Sequence, residues 1–187
     1  MLAMTVDQMR RLRQRLKVFL AVCGTFLLFG LTSTTAANAA YYSAGMWNNV
    51  LCMKPLTVNS TWASAINNGR NAWNNNSYFT GNLYQSSSCV SNTAVGSYGS
   101  DWFGYYNPIT QGTSFRIRLD STNLNAHIKQ KGYTWGNVVK STTAHEYGHA
   151  LRLAHTTNQF QLMSHNRNRN TVTGPTSGEV GESNSYY

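Results

Sequence analysis

HEYGHALRLAH, residues 145–155, is the stretch on which the reading of this chain turns. On a helix, His145 and His149 project from one face, offset by about 40° around the axis and about 6 Å along it. Two imidazoles at that offset can reach one ion. Zinc, with bonds of about 2.0–2.1 Å to nitrogen, accepts such a pair, and Glu146 lies beside the first histidine, placed to take a proton from a metal-bound water. His155 follows ten residues after His145, and Met163 comes eight residues later, within QLMSHN at 161–166.

Those offsets resemble the metzincin zinc endopeptidases, and most of all the matrixin branch with its compact bacterial secreted relatives. In that family His-Glu-x-x-His-x-x-Gly-x-x-His is followed by a tight turn with a methionine beneath the metal. The resemblance implies His145, His149 and His155 as ligands of one catalytic Zn2+, Glu146 as general base and Met163 as the turn methionine. It also implies an α+β fold, with a small twisted mixed sheet, a zinc-binding helix at the floor of a cleft and a short C-terminal subdomain. The activity that follows is hydrolysis of peptide bonds in extracellular protein or peptide substrates, by a secreted zinc metalloendopeptidase.

Arg152 stands where the family has glycine. A non-glycine residue in the left-handed region costs about 1–2 kcal/mol, whereas structural zinc sites are worth about 10–16 kcal/mol. Metal binding outweighs the backbone strain, so His155 remains the third ligand, with Arg152 left-handed or in a slightly different turn. A thermolysin-like site would instead take Glu179 or Glu182 as third ligand. His165, two residues after Met163, occupies a position where astacins and serralysins resemble this chain but carry tyrosine, and where matrixins carry proline. Histidine there can donate to an oxyanion, act as an extra ligand, or form cleft wall.

Outward from the motif, the N-terminal residues 1–39 have the order of a secretory signal peptide. Basic residues from Arg10 to Lys17 precede an apolar run from Val18 to Leu31, and small residues ending in Ala37-Asn38-Ala39 predict cleavage before Ala40. The apolar run is 14 residues, short of the roughly 20 that a spanning helix needs. Residues 40–187 are then a single catalytic domain, secreted, monomeric and without stable membrane association. They hold 10 Lys or Arg against 5 Asp or Glu, a net charge of +5. The NRNRN run at 166–170 lacks interleaved aromatics, so it reads as solvated loop and no nucleic-acid partner is expected. Cys52 and Cys89, an even pair in an oxidising compartment, predict one disulfide that stabilises by about 4 kcal/mol.

Periodicity supplies the remaining elements. Apolar or small residues at helical spacing from Trp62 to Trp73 predict a helix over 61–74, with Ser60 as its N-cap. SFRIRLD at 114–120 alternates strictly, placing Phe115, Ile117 and Leu119 on one face and Arg116, Arg118 and Asp120 on the other. The Gly- and aromatic-rich 94–106 suggests short strands and turns. The zinc helix should run from about Trp135 to Leu151, and Thr176 with Glu179 predicts a capped C-terminal helix. His127 reads as a surface or packing histidine. Two rival functions remain: a catalytically inactive secreted binding module with a structural zinc, and a metal-dependent hydrolase of cell-wall cross-links.

Overall fold

The computed structural model describes residues 40–187, all of which fall within one compact unit. The signal-peptide reading of 1–39 lies outside the described residues. Among the described residues, five strands and four helices follow in chain order: β1 (Val50–Met53), α1 (Ser60–Asn74), β2 (Asn82–Gln85), β3 (Asn92–Gly96), β4 (Gly104–Thr110), β5 (Ser114–Asp120), α2 (Ser121–Lys131), α3 (Trp135–Ala150) and α4 (Ser177–Asn184). The class is α+β. Strands β1 and β2 pair in parallel, and a second, mixed sheet has the order β3-β5-β4, with β3 parallel and β4 antiparallel to β5.

β5 sits at the centre because its alternation buries one whole face. Phe115, Ile117 and Leu119 are buried, while Arg116 and Arg118 point away. Asp120 departs from the expected outward position: it is buried, and its carboxylate accepts from the N–H groups of Thr122, Asn123 and Tyr98 and from the Ser100 hydroxyl, each at 3.0 Å. Burial alone would raise its pKa, but these four donors together hold it below the ordinary carboxylate value. Asp120 thereby caps α2, a helix that periodicity does not reveal because Leu124 is its one fully buried residue. That helix ends on Gly132, left-handed at φ 65.

α1 begins one residue earlier than expected, since Asn59 rather than Ser60 supplies the cap by accepting from the Trp62 N–H. It lies directly on α3. A Cβ at Gly69 would stand 2.7 Å from the Thr143 Cβ and 2.9 Å from the Lys140 carbonyl, so glycine is what lets the two helices approach. Trp73 fixes the crossing by donating from its indole to the Ala144 carbonyl at 2.9 Å. With α1 on one side and the mixed sheet on another, α3 is buried from Ser141 to Ala150, and its C-terminal half carries the motif. The capped C-terminal helix forms as expected, with a full capping box between Thr176 and Glu179.

Cys52 and Cys89 form a disulfide, with Cα atoms 5.6 Å apart, that ties β1 to the loop before β3. It is the pairing expected for an oxidising compartment. No helix among the described residues is long and apolar enough to cross a membrane.

Candidate metal centre

His145 and His149 lie one turn apart on α3, as their spacing requires, and both are buried. Their Nδ1 atoms are engaged at 2.8 Å with backbone carbonyls, His145 with Leu162 and His149 with Leu153. A carbonyl oxygen only accepts, so each Nδ1 carries the proton and each Nε2 keeps its lone pair. The Nε2 of exposed His155 approaches both, at 3.2 Å from that of His145 and 3.0 Å from that of His149. Three nitrogens each about 2.05 Å from a tetrahedral centre would stand about 3.3 Å apart. The donor set therefore fits one ion, with backbone carbonyls orienting two of the ligands.

Burial depresses all three histidines, with neighbouring charges adding to it: His145 well below its ordinary value, His149 to about 3 and His155 to about 4. They are held as neutral imidazoles, the form that ligates metal. Burial pushes Glu146 the other way, up to about 7, against the opposing pull of Arg167. Its carboxylate is packed so tightly under β4 that a Cβ at Gly104 would come within 2.6 Å of Oε1.

Arg152 resolves the departure from the motif. It is the one non-glycine residue with positive φ among those described, at 69°. Its side chain does what glycine could not: Nε donates to the Met46 carbonyl at 2.6 Å, Nη1 donates to the Tyr41 hydroxyl, and the guanidinium lies 5.3 Å from the Tyr41 ring centroid and 5.7 Å from that of Tyr187. The Arg152 carbonyl accepts from the Tyr42 N–H at 2.7 Å. The chain then turns so that the Leu153 carbonyl reaches His149 and His155 faces the pair.

Met163 is fully buried under α3, where a Cβ at Gly148 would stand 2.3 Å from its Sδ. Gly148 within the motif thus makes room for the methionine. The Met163 N–H donates to Glu179 Oε1 at 2.8 Å, while Oε2 accepts from the Thr176 N–H at 2.9 Å. Glu179 is consumed in anchoring that turn, and Glu182 accepts from the Tyr186 hydroxyl at 2.8 Å; neither joins the histidines. His165 is exposed on the cleft wall, its ring centroid 3.7 Å from that of His155. His127 packs between Phe103 and Tyr133, at 4.8 and 5.6 Å between centroids.

The cleft above these groups has a volume of about 510 Å3. Several of its residues carry no signal in the sequence. Tyr42 comes from the far end of the domain to lie 5.0 Å from the His149 ring. Arg167, in the run expected to be solvated, is buried instead: it donates to the Ser141 hydroxyl at 3.1 Å, to the Ser164 carbonyl at 2.7 Å and to the Ser141 carbonyl at 3.3 Å. Burial, reinforced by Arg169, pulls its pKa down to about 9. Three acceptors waiting in the fold are what bring it inside, and a run of Asn and Arg gives no hint of them.

No family model and no curated protein matches the chain. Among solved structures, a chain of the GM1 bound form of the ECX AB5 holotoxin matches with a TM-score of 0.55 and 14% identity, over 80% of this chain and 86% of that one. The likeness carries the fold alone. It corrects the expectation raised by the motif: the fold is matched in a toxin assembly. The metzincin, matrixin-like identification is therefore withdrawn, and the assignment as a zinc metalloendopeptidase with peptide substrates falls with it. What stands is three histidines able to hold a metal ion beside a buried carboxyl group, in an open cleft.

Proposed function

We propose that residues 40–187 are a single exported module that holds one divalent ion, zinc by the character of its donors, on His145, His149 and His155, and offers the cleft above it to a ligand. The observation that carries this is the convergence of three Nε2 atoms, two of them on rings whose Nδ1 is engaged by a backbone carbonyl. The Nε2 lone pairs of His145 and His149 both face the His155 ring at 3.0–3.2 Å, and one cation among the three nitrogens would satisfy them together. Bound there, the ion supplies a point charge that fixes the triad and attracts an oxygen donor of the ligand. Met163 supports the floor, His165 forms wall, and the Glu146 carboxyl offers the ligand a hydrogen bond. The chain with the related fold belongs to a holotoxin solved bound to GM1, which is in keeping with a ligand-capturing role. Export agrees with the disulfide and with the leader-like order of 1–39.

Metal analysis of the purified domain tests this, with about one zinc per chain expected. His145→Ala, His149→Ala and His155→Ala should each lose most of the bound metal. Full retention in the His155 variant would move the third ligand elsewhere. Turnover of casein by the parent protein, abolished in Glu146→Gln, would replace the binding reading with a catalytic one.

A further inference from the structure

The cleft does not end at the histidines. Behind its 165–169 wall lies a second cavity, also about 510 Å3, which shares His165, Arg167 and Arg169 with it. Lys131 and His127 line the far side of that cavity, and no Asp or Glu does. The metal cleft itself has carboxylates in Asp101 and Glu146. A negative group entering this region is therefore drawn toward the wall that the two cavities share, where Arg167 and Arg169 lie.

The three cations around the second cavity are not equivalent. Arg167 has its donors committed to Ser141 and Ser164. Lys131 sits exposed in the last turn of α2. Arg169 is half-buried, with its guanidinium 4.7 Å from the Phe103 ring centroid, and it makes no hydrogen bond to any described residue; its Nε is buried without a partner. The unpaired, buried Nε–H is unfavourable by itself and would be satisfied by an acceptor that a ligand brings, while the rest of the group stays open to the cleft. Its planar fork suits a carboxylate, which takes two parallel N–H donors.

A different feature marks the segment from Tyr98 to Tyr105. Tyr98, Trp102 and Tyr105 stand as a ladder, with centroids 5.3 Å and then 5.6 Å apart and rings inclined by 35° and 27°. Trp102 and Tyr105 line the cleft, and Tyr98 and Tyr105 are exposed. The parts of these rings left open by the stack give the cleft an aromatic surface, not a hollow for one apolar side chain. Aromatic faces of this kind pair an apolar body with polar edges, and they accept the C–H face of a pyranose ring while leaving its hydroxyls in water.

We infer that the cleft binds an acidic oligosaccharide, with its rings along Trp102 and Tyr105 and a ring carboxylate held by Arg169. The inference rests on the reading of the cleft as a ligand site, but it does not require the ion. Calorimetric titration of the domain, as purified and after chelation, with tetragalacturonate, its methyl ester and tetraglutamate separates the contributions. The acid should bind about tenfold or more tightly than the ester, as expected for a hydrogen-bonded charge. It should also bind more tightly than tetraglutamate, with or without metal. Arg169→Gln should remove that preference for acid over ester, and Trp102→Ala should weaken both sugars. Should Arg169→Gln fail to fold, Arg169→Lys keeps the charge without the fork and should lose most of the preference.

Equal binding of acid and ester would overturn the inference, as would an unchanged preference in a folded Arg169 variant. Tighter binding of tetraglutamate would make the site one for acidic peptide. Loss of acid binding on chelation would assign the carboxylate to the ion instead of Arg169. A protein that holds no metal yet keeps the arginine-dependent preference would fail the metal reading and leave this one standing.

Discussion

Just beyond α2 and α3 the chain takes a positive φ, on a glycine in one case and an arginine in the other. Gly132 closes α2 at φ 65, and Arg152, just beyond α3, stands at φ 69. Glycine adopts that region at little cost, whereas arginine gives up about 1–2 kcal/mol. At Gly132 nothing lies within 4 Å of where a Cβ would be, so the residue is there for its backbone. At Arg152 the side chain reaches the Met46 carbonyl, the Tyr41 hydroxyl and two tyrosine rings. A helix end on open surface selects for conformation alone. One that must also hold a distant segment can carry strain when the side chain recovers it.

Arg152→Ala keeps the strained backbone and removes the contacts, so it breaks the contrast most severely. Charge-assisted hydrogen bonds are worth about 1.5–3 kcal/mol, and a loss of about 2–3 kcal/mol is expected in urea unfolding. Arg152→Gly loses the same contacts but relieves the strain, leaving a net loss of about 1–2 kcal/mol. This reverses the gain that the motif alone would suggest. A more stable Arg152→Gly protein would show that the guanidinium contacts contribute nothing. Gly132→Ala, the mirror experiment, should cost about 1 kcal/mol from the left-handed backbone, with no steric part. A larger loss there, measured by the same unfolding, would mean that the two helix ends do not share one energetic rule.

The same division separates what the sequence discloses from what it hides. His145 and His149 are legible because 3.6 residues per turn is a local rule, and β5 is legible because a period of two survives along its buried face. The cap of α4 is legible too, since Thr176 and Glu179 are three residues apart. Arg167 is not, because its burial depends on Ser141, 26 residues away. Asp120 reads as an outward strand residue until four donors from two directions are assembled around it. Tyr42 and Arg169 reach the cleft by tertiary packing alone. The motif's offsets describe the donors well and the protein's activity poorly, because ligand spacing fixes a coordination geometry without fixing what is brought to the metal.

The tie between Arg152 and the segment around Tyr41 to Met46 also bears on the order in which the molecule assembles. Two of the three imidazoles are placed as soon as one helix turn exists. The third follows a turn secured by partners 106 and 111 residues away along the chain, with the Ala154 N–H closing onto the Ala40 carbonyl at 2.6 Å beside it. Closing so long a loop is slow compared with winding a helix. The nascent chain would therefore present a pair of histidines well before it presents a complete triad, and the proposed site would be finished only in the last stage of folding.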